Sequence, residues 1–244
     1  MDDVMNDRVA WAASRAAELT RRYAGVDGIE LLRPMIADEF RGRIVVSSSF
    51  GAEAAVMLDL VAQTDPATPV IFVDTGKLFG ETLRYRQTVT ALLGLKDVRI
   101  VRPDDAEVGR RDPDGILWMR NHDACCALRK VEPFAKAIEA FDAWVTGRKR
   151  FHGRARGEVP AFEADGGRVK INPLATWPRE RVLAHFVARK LPAHPLVADG
   201  YLSIGCMPCT ERVAPGQGVR DGRWAGTDKD ECGIHLPMGG GLGL

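Results

Sequence analysis

The chain has 244 residues, 45% of them hydrophobic, with 34 Lys and Arg against 33 Asp and Glu for a formal net charge of +1. That size supports one large α/β core, or one core with a small appendage, and the balanced charge argues against a wholesale nucleic-acid or membrane-surface protein, so any basic site must be local. The acidic start Met1-Asp2-Asp3 is unlike a secretory signal, no apolar run approaches the ~18 residues of a membrane span, and five cysteines in such a chain lead to the expectation of a reducing, cytoplasmic setting.

Residues 7–24 read as an amphipathic helix ending near Gly25, and 28–40 as a less regular one containing Pro34; neither carries chemistry. The β-branched run Arg43-Ile44-Val45-Val46 then enters Ser47-Ser48-Ser49-Phe50-Gly51 and continues as a helix through Ala52–Val61. Strand, small polar loop and helix in that order present hydroxyls and backbone N–H groups where an anion is favoured. The loop is neither a Walker A sequence nor a dinucleotide fingerprint, and an ordinary Ser-rich capped turn is the competing reading. A second strand, Val70–Val73, ends in the polar turn Asp74-Thr75-Gly76-Lys77 before a helix from about Glu81 to Leu93, and Val98–Val101 repeats the rhythm. The alternation predicts an α/β fold with a mostly parallel sheet flanked by helices, whose ligands sit beyond the carboxyl ends of the strands.

At that same edge lies the loop after Ala143-Trp144-Val145-Thr146, which reads Gly147-Arg148-Lys149-Arg150-Phe151-His152-Gly153-Arg154-Ala155-Arg156. A basic run is commonly a solvated face; here it is also placed to bind phosphate or sulfate. Arg168–Ile171 and a helix from Pro178 to Arg189 close the core, with His185 a packing or surface residue. Beyond it the chain turns Gly- and Pro-rich. We expect one α/β domain over residues 1–225 and an irregular, mobile tail over 226–244 ending in Gly239–Leu244.

Four cysteines come in two pairs, Cys125-Cys126 and Cys206-Met207-Pro208-Cys209, and the fifth, Cys232, stands apart. Two pairs on distant segments can close a four-thiolate site for zinc or an iron–sulfur cluster, and spacing alone leaves that choice open. Structural disulfides and unlinked buried thiols are the plainer readings. Asp123 is the expected N-cap of a helix through Leu128, Val131, Phe134 and Ile138, which would put both sulfurs in its first turn.

Ser47–Glu53, Val73-Asp74-Thr75-Gly76-Lys77-Leu78-Phe79, the Cys125-Cys126 segment with Arg129-Lys130-Val131-Glu132-Pro133, Ser203-Ile204-Gly205-Cys206-Met207-Pro208-Cys209-Thr210, and Glu231-Cys232-Gly233-Ile234-His235 together resemble the assimilatory adenylylsulfate/phosphoadenylylsulfate reductases. The resemblance runs in order from about residue 43 to residue 235 and is specific because five motifs agree. It implies an adenine-nucleotide α-hydrolase-like fold, a [4Fe-4S] cluster on Cys125, Cys126, Cys206 and Cys209, and reduction of an activated sulfate to sulfite, with thioredoxin as electron donor. The presence of both cysteine pairs favours adenosine 5'-phosphosulfate over its 3'-phosphorylated form. Carried over by position, the phosphosulfate-binding residues are Lys130, Arg220, Arg223 and His235. Ser47, Ser48, Ser49, Gly51, Asp74, Thr75, Gly76, Lys77 and Arg148 complete the expected substrate contacts.

Outside both pairs, Cys232 is free to act as nucleophile, with Lys229 and His235 near enough in sequence to favour its thiolate. It would attack the sulfonyl sulfur, and a thioredoxin thiolate would release sulfite from the Cys–S–sulfonate. The cluster is expected to act electrostatically, by placing Lys130 and shaping its field. The chain departs from the family pattern at Phe151-His152 and in the plain segment Arg223-Trp224-Ala225-Gly226, and Arg148, Arg154 and Arg156 offer partners to a 3'-phosphate. An ATP pyrophosphatase-type sulfur-transfer enzyme is disfavoured because the loop lacks Gly-Gly and Asp; a non-enzymatic Fe–S sensor would leave Cys232-Gly233-Ile234-His235 without purpose. No nucleic-acid or membrane partner is expected, and a homo-oligomer is left open.

Overall fold

The computed structural model describes residues 2–227 and 229–236; the expected mobile end, Gly239–Leu244, lies outside them. The elements in order are α1 (Asp2–Arg22), α2 (Gly28–Pro34), β1 (Ile44–Ser47), α3 (Ala54–Thr64), β2 (Val70–Val73), α4 (Gly80–Leu93), β3 (Val98–Val101), α5 (Asp105–Arg111), α6 (Leu117–Arg120), α7 (His122–Cys126), α8 (Glu132–Ala137), β4 (Ala143–Val145), β5 (Phe162–Asp165), β6 (Arg168–Ile171) and α9 (Arg179–Ala188). A π-helical turn, Met35–Glu39, extends α2 beyond Pro34, whose missing N–H removes one rung of the helix.

The strands form one sheet in the order β3-β2-β1-β4-β6-β5. Every pairing is parallel except β5 with β6. β1 is the topological switch: the chain runs outward through β2 and β3 on one side, then returns to β4 on the other, opening a crevice at the carboxyl ends of β1 and β4. The central strands are buried on both faces, as their β-branched composition requires. On one face Val45, Ile71 and Trp144 meet Phe134, Ile138 and Phe141. On the other, Val46, Phe72 and Val145 join a cluster containing Leu58 and Val61 of α3 and Leu31 and Leu32 of α2. Full burial of each such side chain contributes roughly 1.5–3 kcal/mol.

Three local expectations need correction. The cap of α7 is Asn121, not Asp123: Asn121 Oδ1 accepts from the Ala124 N–H at 2.9 Å, so the helix starts two residues earlier and Cys125 and Cys126 stand at its end rather than at its start. The helix does not run unbroken to Ile138, because a π-helical turn, Ala127–Val131, separates α7 from α8 and precedes Pro133. The edge strand β5 escaped the sequence reading; the signal was the doublet Gly166-Gly167, both at positive φ, which turns the chain between β5 and β6 as two-residue hairpins require. His185 packs as expected, its Nε2 2.7 Å from the buried carboxylate of Asp59. No described helix is long and apolar enough to cross a membrane.

Candidate active site

The loop after β1 is fixed from below. The Ser48 N–H donates to the Ile71 carbonyl at 3.0 Å, and the Phe50 N–H donates to Ser48 Oγ at 3.2 Å. Phe50 itself sits at φ 47°, a left-handed conformation that costs a residue with a side chain about 1–3 kcal/mol. Its fully buried ring, 5.5 Å from Phe72 and edge-on to it, holds the turn in that shape. A side chain at Gly51 would come within 3.0 Å of the Ile204 carbonyl, so the C-terminal cysteine loop lies directly over this turn. Ser47, Ser48, Ser49 and Gly51 therefore face a cavity of about 190 Å³ at the start of α3.

The opposite wall of that cavity carries the basic side chains, and carboxylates meet most of them. Glu53 accepts from Lys149 Nζ at 2.8 Å and pairs with His152 Nε2 at 3.0 Å. Burial alone would raise the Glu53 carboxyl, but Lys149 and His152 outweigh it and hold it at about 2. Arg148 pairs with Glu163 and donates from Nε to Asn172 Oδ1 at 3.2 Å; burial, helped by Arg156, pushes its guanidinium down to about 10. Arg156 and Arg220 both reach Glu231. Glu53, Lys149, Glu163 and Glu231 were not picked out as site residues in the sequence, since spacing does not say which carboxylate meets which cation.

The C-terminal segment lies across this cavity. Cys232 is only 8% exposed and shares the cavity with Lys130, Arg148, Arg220, Arg223, His235 and the serines. It precedes a short 3-10 turn, Gly233–His235, where a side chain in place of Gly233 would meet Val131 Cγ2 at 2.8 Å. The His235 ring stacks on Trp144, 5.9 Å between centroids and 5° from parallel, and its carbonyl accepts from Lys170 Nζ at 3.3 Å. Arg220, Arg223 and Lys229 all stand over the Trp224 ring, Arg223 closest at 4.4 Å. Arg223 is in turn tied to the cysteine loop, its Nε donating to the Cys209 carbonyl at 3.3 Å.

Burial pushes His235 well below its ordinary value, with Arg156, Arg148 and Lys170 pushing the same way against the pull of Glu231. A histidine whose docked pKa lies below its free value of ~6.5 favours docking above that pH and opposes it as the pH falls through and below ~6.5. Amide protection of residues 232–236 should therefore decline between about pH 7.5 and about pH 5.5, and a His235→Gln variant should lack that decline. A wild-type tail equally protected at both ends of the range would contradict this burial of the imidazole.

A second, smaller cavity adjoins the first. Cys125, Cys126, Cys206 and Cys209 line it, together with Thr75, Lys77, Trp118, His122, Arg129, Lys130 and Pro208. The sulfurs are all free thiols. The Cys206–Cys209 segment is held on the turn after β2 by the Met207 N–H donating to the Lys77 carbonyl at 2.7 Å and by the Leu78–Cys206 bridge. Thr75 Oγ1 lies 3.3 Å from Cys206 Sγ. Arg129 clamps the floor, donating to Asp112 at 2.9 and 2.6 Å and to the Thr75 carbonyl at 3.1 Å. Burial raises the thiols of Cys125, Cys126 and Cys209 to about 11. Among the described residues no three His, Cys, Asp or Glu donors are arranged to hold a metal ion. Four thiols on two segments line this one cavity, the kind of donor set that zinc or an iron–sulfur cluster takes.

The turn after β2 serves this second cavity rather than the first. Thr75 and Lys77 line it, and Lys77 Nζ donates to the Gly115 carbonyl at 2.7 Å. Asp74 is spent on the Gly76 N–H at 3.2 Å and on Arg102. These positions were expected at the nucleotide; none of the four lines the larger cavity. Lys130 lines both. Burial would lower its ammonium, but the sulfurs of Cys232, Cys206 and Cys126 outweigh it and raise it.

Residues 43–212 match the phosphoadenosine phosphosulfate reductase domain family. The chain is 47% identical to the adenosine 5'-phosphosulfate reductase of Mesorhizobium japonicum, covering 96% of this chain and 92% of that one. It is likewise 47% identical to the enzyme of that name from Chelativorans sp., covering 93% of each. Among solved structures, phosphoadenylyl-sulfate reductase from Candida auris superposes with a TM-score of 0.67 at 27% identity, over 81% of this chain and 96% of that one. The adenine-nucleotide α-hydrolase-like fold implied by the sequence motifs is thereby met.

Proposed function

Because the chain belongs to the phosphoadenosine phosphosulfate reductase family, we propose that it reduces adenosine 5'-phosphosulfate to sulfite and AMP, with thioredoxin as the electron donor. The observation that carries this reading is Cys232 in one cavity with the Ser47–Gly51 turn and with Lys130, Arg220 and Arg223. A thiolate and a phosphosulfate repel each other, so cations at their meeting point are what the reaction needs. Each charge-assisted hydrogen bond from these side chains is worth roughly 1.5–3 kcal/mol.

Cys232 Sγ attacks the sulfate sulfur, the bond from that sulfur to the bridging phosphate oxygen breaks, and AMP leaves with the electron pair. Cys232 then carries a thiosulfonate. A thioredoxin thiolate attacks Cys232 Sγ, sulfite departs with the S–S bonding pair, and a mixed disulfide remains for the second thioredoxin thiol to resolve. Cys232 is too buried in the docked tail for a protein thiol to reach it, so residues near 226–235 must move outward between the two steps.

Cys125, Cys126, Cys206 and Cys209 would hold a [4Fe-4S] cluster. The donor set fits: four unpaired thiols, a hydroxyl on one of them, and the cations Arg129 and Lys130 beside a centre that carries negative charge. When bound, the cluster supplies a fixed negative field at Lys130. A reducing cytoplasmic setting goes with free thiols and a thioredoxin donor.

The choice between the two nucleotides rests on the carboxylates. Of the arginines open to a 3'-phosphate, Arg148 is taken by Glu163 and Arg156 by Glu231, and the neighbouring Lys149 is taken by Glu53, so these three cations are already paired. Glu53, held ionised by Lys149, keeps that cation from a 3'-phosphate. A unit charge at 4 Å interacts by about 4 kcal/mol at the effective dielectric of such sites, so Glu53→Gln should raise the ratio of activity on the 3'-phosphorylated substrate to that on adenosine 5'-phosphosulfate by about tenfold or more. An unchanged ratio would remove Glu53 from substrate choice. The reaction itself is tested by incubating the protein with adenosine 5'-phosphosulfate and no reductant: mass spectrometry should find one SO3 group on Cys232, and no adduct would refute the mechanism.

A further inference from the structure

Glu231 is used by none of the steps above, yet its carboxylate is the junction of the docked tail. Arg156 approaches it with two donors, Nε to Oε2 at 2.5 Å and a terminal nitrogen to Oε1 at 2.8 Å. Arg220 reaches Oε1 at 3.3 Å. The same Oε1 accepts the backbone N–H of Cys232 at 2.8 Å. One oxygen thus joins the arginine wall to the amide of the reacting residue, and its side chain is only 7% exposed.

The charges explain what the junction does. Arg156 and Arg220 are nearly enclosed, and a buried cation without a partner is strongly unfavourable. In the free protein Glu231 is the anion that neutralises them, and by doing so it draws Cys232 into the cavity. The phosphosulfate brings anions to the same wall, since Arg220 lines the cavity with Lys130 and Arg223. Transfer of the SO3 group then places a permanent negative charge on the residue next to Glu231, in the same enclosed space. Two adjacent anions then compete for guanidinium groups that held one.

We propose that Glu231 is a positioning residue with two opposite effects: it docks the tail while Cys232 is a thiol, and it drives the tail out once Cys232 carries the sulfonate. This rests on the reductase reading above. Opening would then follow the chemistry that requires it, because the trigger is the bulky, permanently anionic sulfonate that the first step leaves on Cys232. Arg156 acts with Glu231 as the fixed half of the latch.

The test is hydrogen exchange at residues 229–235 in the wild-type protein and in Glu231→Gln and Glu231→Asp, each as free thiol and after treatment with adenosine 5'-phosphosulfate without reductant. Wild type should be protected as thiol and exchange about tenfold or more faster when sulfonated, the scale expected for loss of charge-assisted hydrogen bonds. Glu231→Gln keeps the size of the side chain but not its charge; its thiol form should already exchange about tenfold faster, and sulfonation should add little. Glu231→Asp should recover part of the difference between the two states, which a merely structural role for the side chain would not produce. A Glu231→Gln tail protected like wild type as thiol, or released by sulfonation to the same extent, would overturn the latch. Failure of wild type to form any adduct would instead overturn the reductase reading, and the thiol-state comparison would still decide the docking role.

Discussion

A Cys232→Ser variant is expected to make no sulfite in multiple turnover, a loss of at least ~10³-fold, while keeping its iron and its fold. Serine replaces sulfur with a hydroxyl of similar size, so the turn at Gly233–His235, the Trp144–His235 stack and the Glu231 contact to the residue 232 amide should persist. What disappears is the sulfur nucleophile, since a hydroxyl oxygen is a far poorer nucleophile toward the sulfonyl sulfur than a thiolate. The measurement is sulfite release beside iron content and intact mass. Residual multiple-turnover activity would sink the covalent mechanism.

The second large effect lies in the adjoining cavity. Cys209→Ala should lose most of its iron, because removing a ligand costs more than the ~10–100-fold that loss of an outer-shell partner costs a metal site. The protein contacts around Cys209 run through its backbone: its carbonyl accepts from Arg223 Nε and from the Trp224 N–H, and alanine can keep both. The variant should therefore stay folded by circular dichroism with Arg223 near its place, and its activity should fall through the loss of the field at Lys130. Normal iron content would refute the ligand assignment, whatever the activity.

The parts of this structure that were legible in the sequence are those where one residue type serves one purpose. Val45, Val46, Ile71, Phe72, Trp144 and Ile171 are apolar runs that can only be buried, and they marked the central strands. β5 was harder, because Phe162-Glu163-Ala164-Asp165 at a sheet edge needs only one buried face and offers no continuous run. The helices α5 and α6 bury none of their residues, so no apolar stripe announced them. The caps went astray for a related reason: Asn121 and Asp123 are both good caps, and the choice is made by the extended backbone at Asn121.

In the site, the cysteine pairs and Cys232 stood out because thiols are few and soft, and the structure places the two pairs around one cavity and Cys232 in the other. The carboxylate partners were not. Glu231 meets Arg156 across 75 positions and Glu53 meets His152 across 99, and the fold alone decides such pairings. The turn Asp74–Lys77 lies at the ligand edge as its strand predicted, but the edge serves two cavities, and the Leu78–Cys206 bridge assigns the turn to the thiol side. The bare arithmetic of the basic loop had kept a 3'-phosphate open; the three glutamates that occupy it now weigh against one.

The most direct test of the central claim is sulfite release by anaerobically purified protein with reduced thioredoxin, comparing adenosine 5'-phosphosulfate with its 3'-phosphorylated form at matched low concentration. The account predicts sulfite from the first and a strong preference for it over the second. Preference for the 3'-phosphorylated nucleotide would contradict the role given to Glu53, and no sulfite from either would contradict the reductase itself.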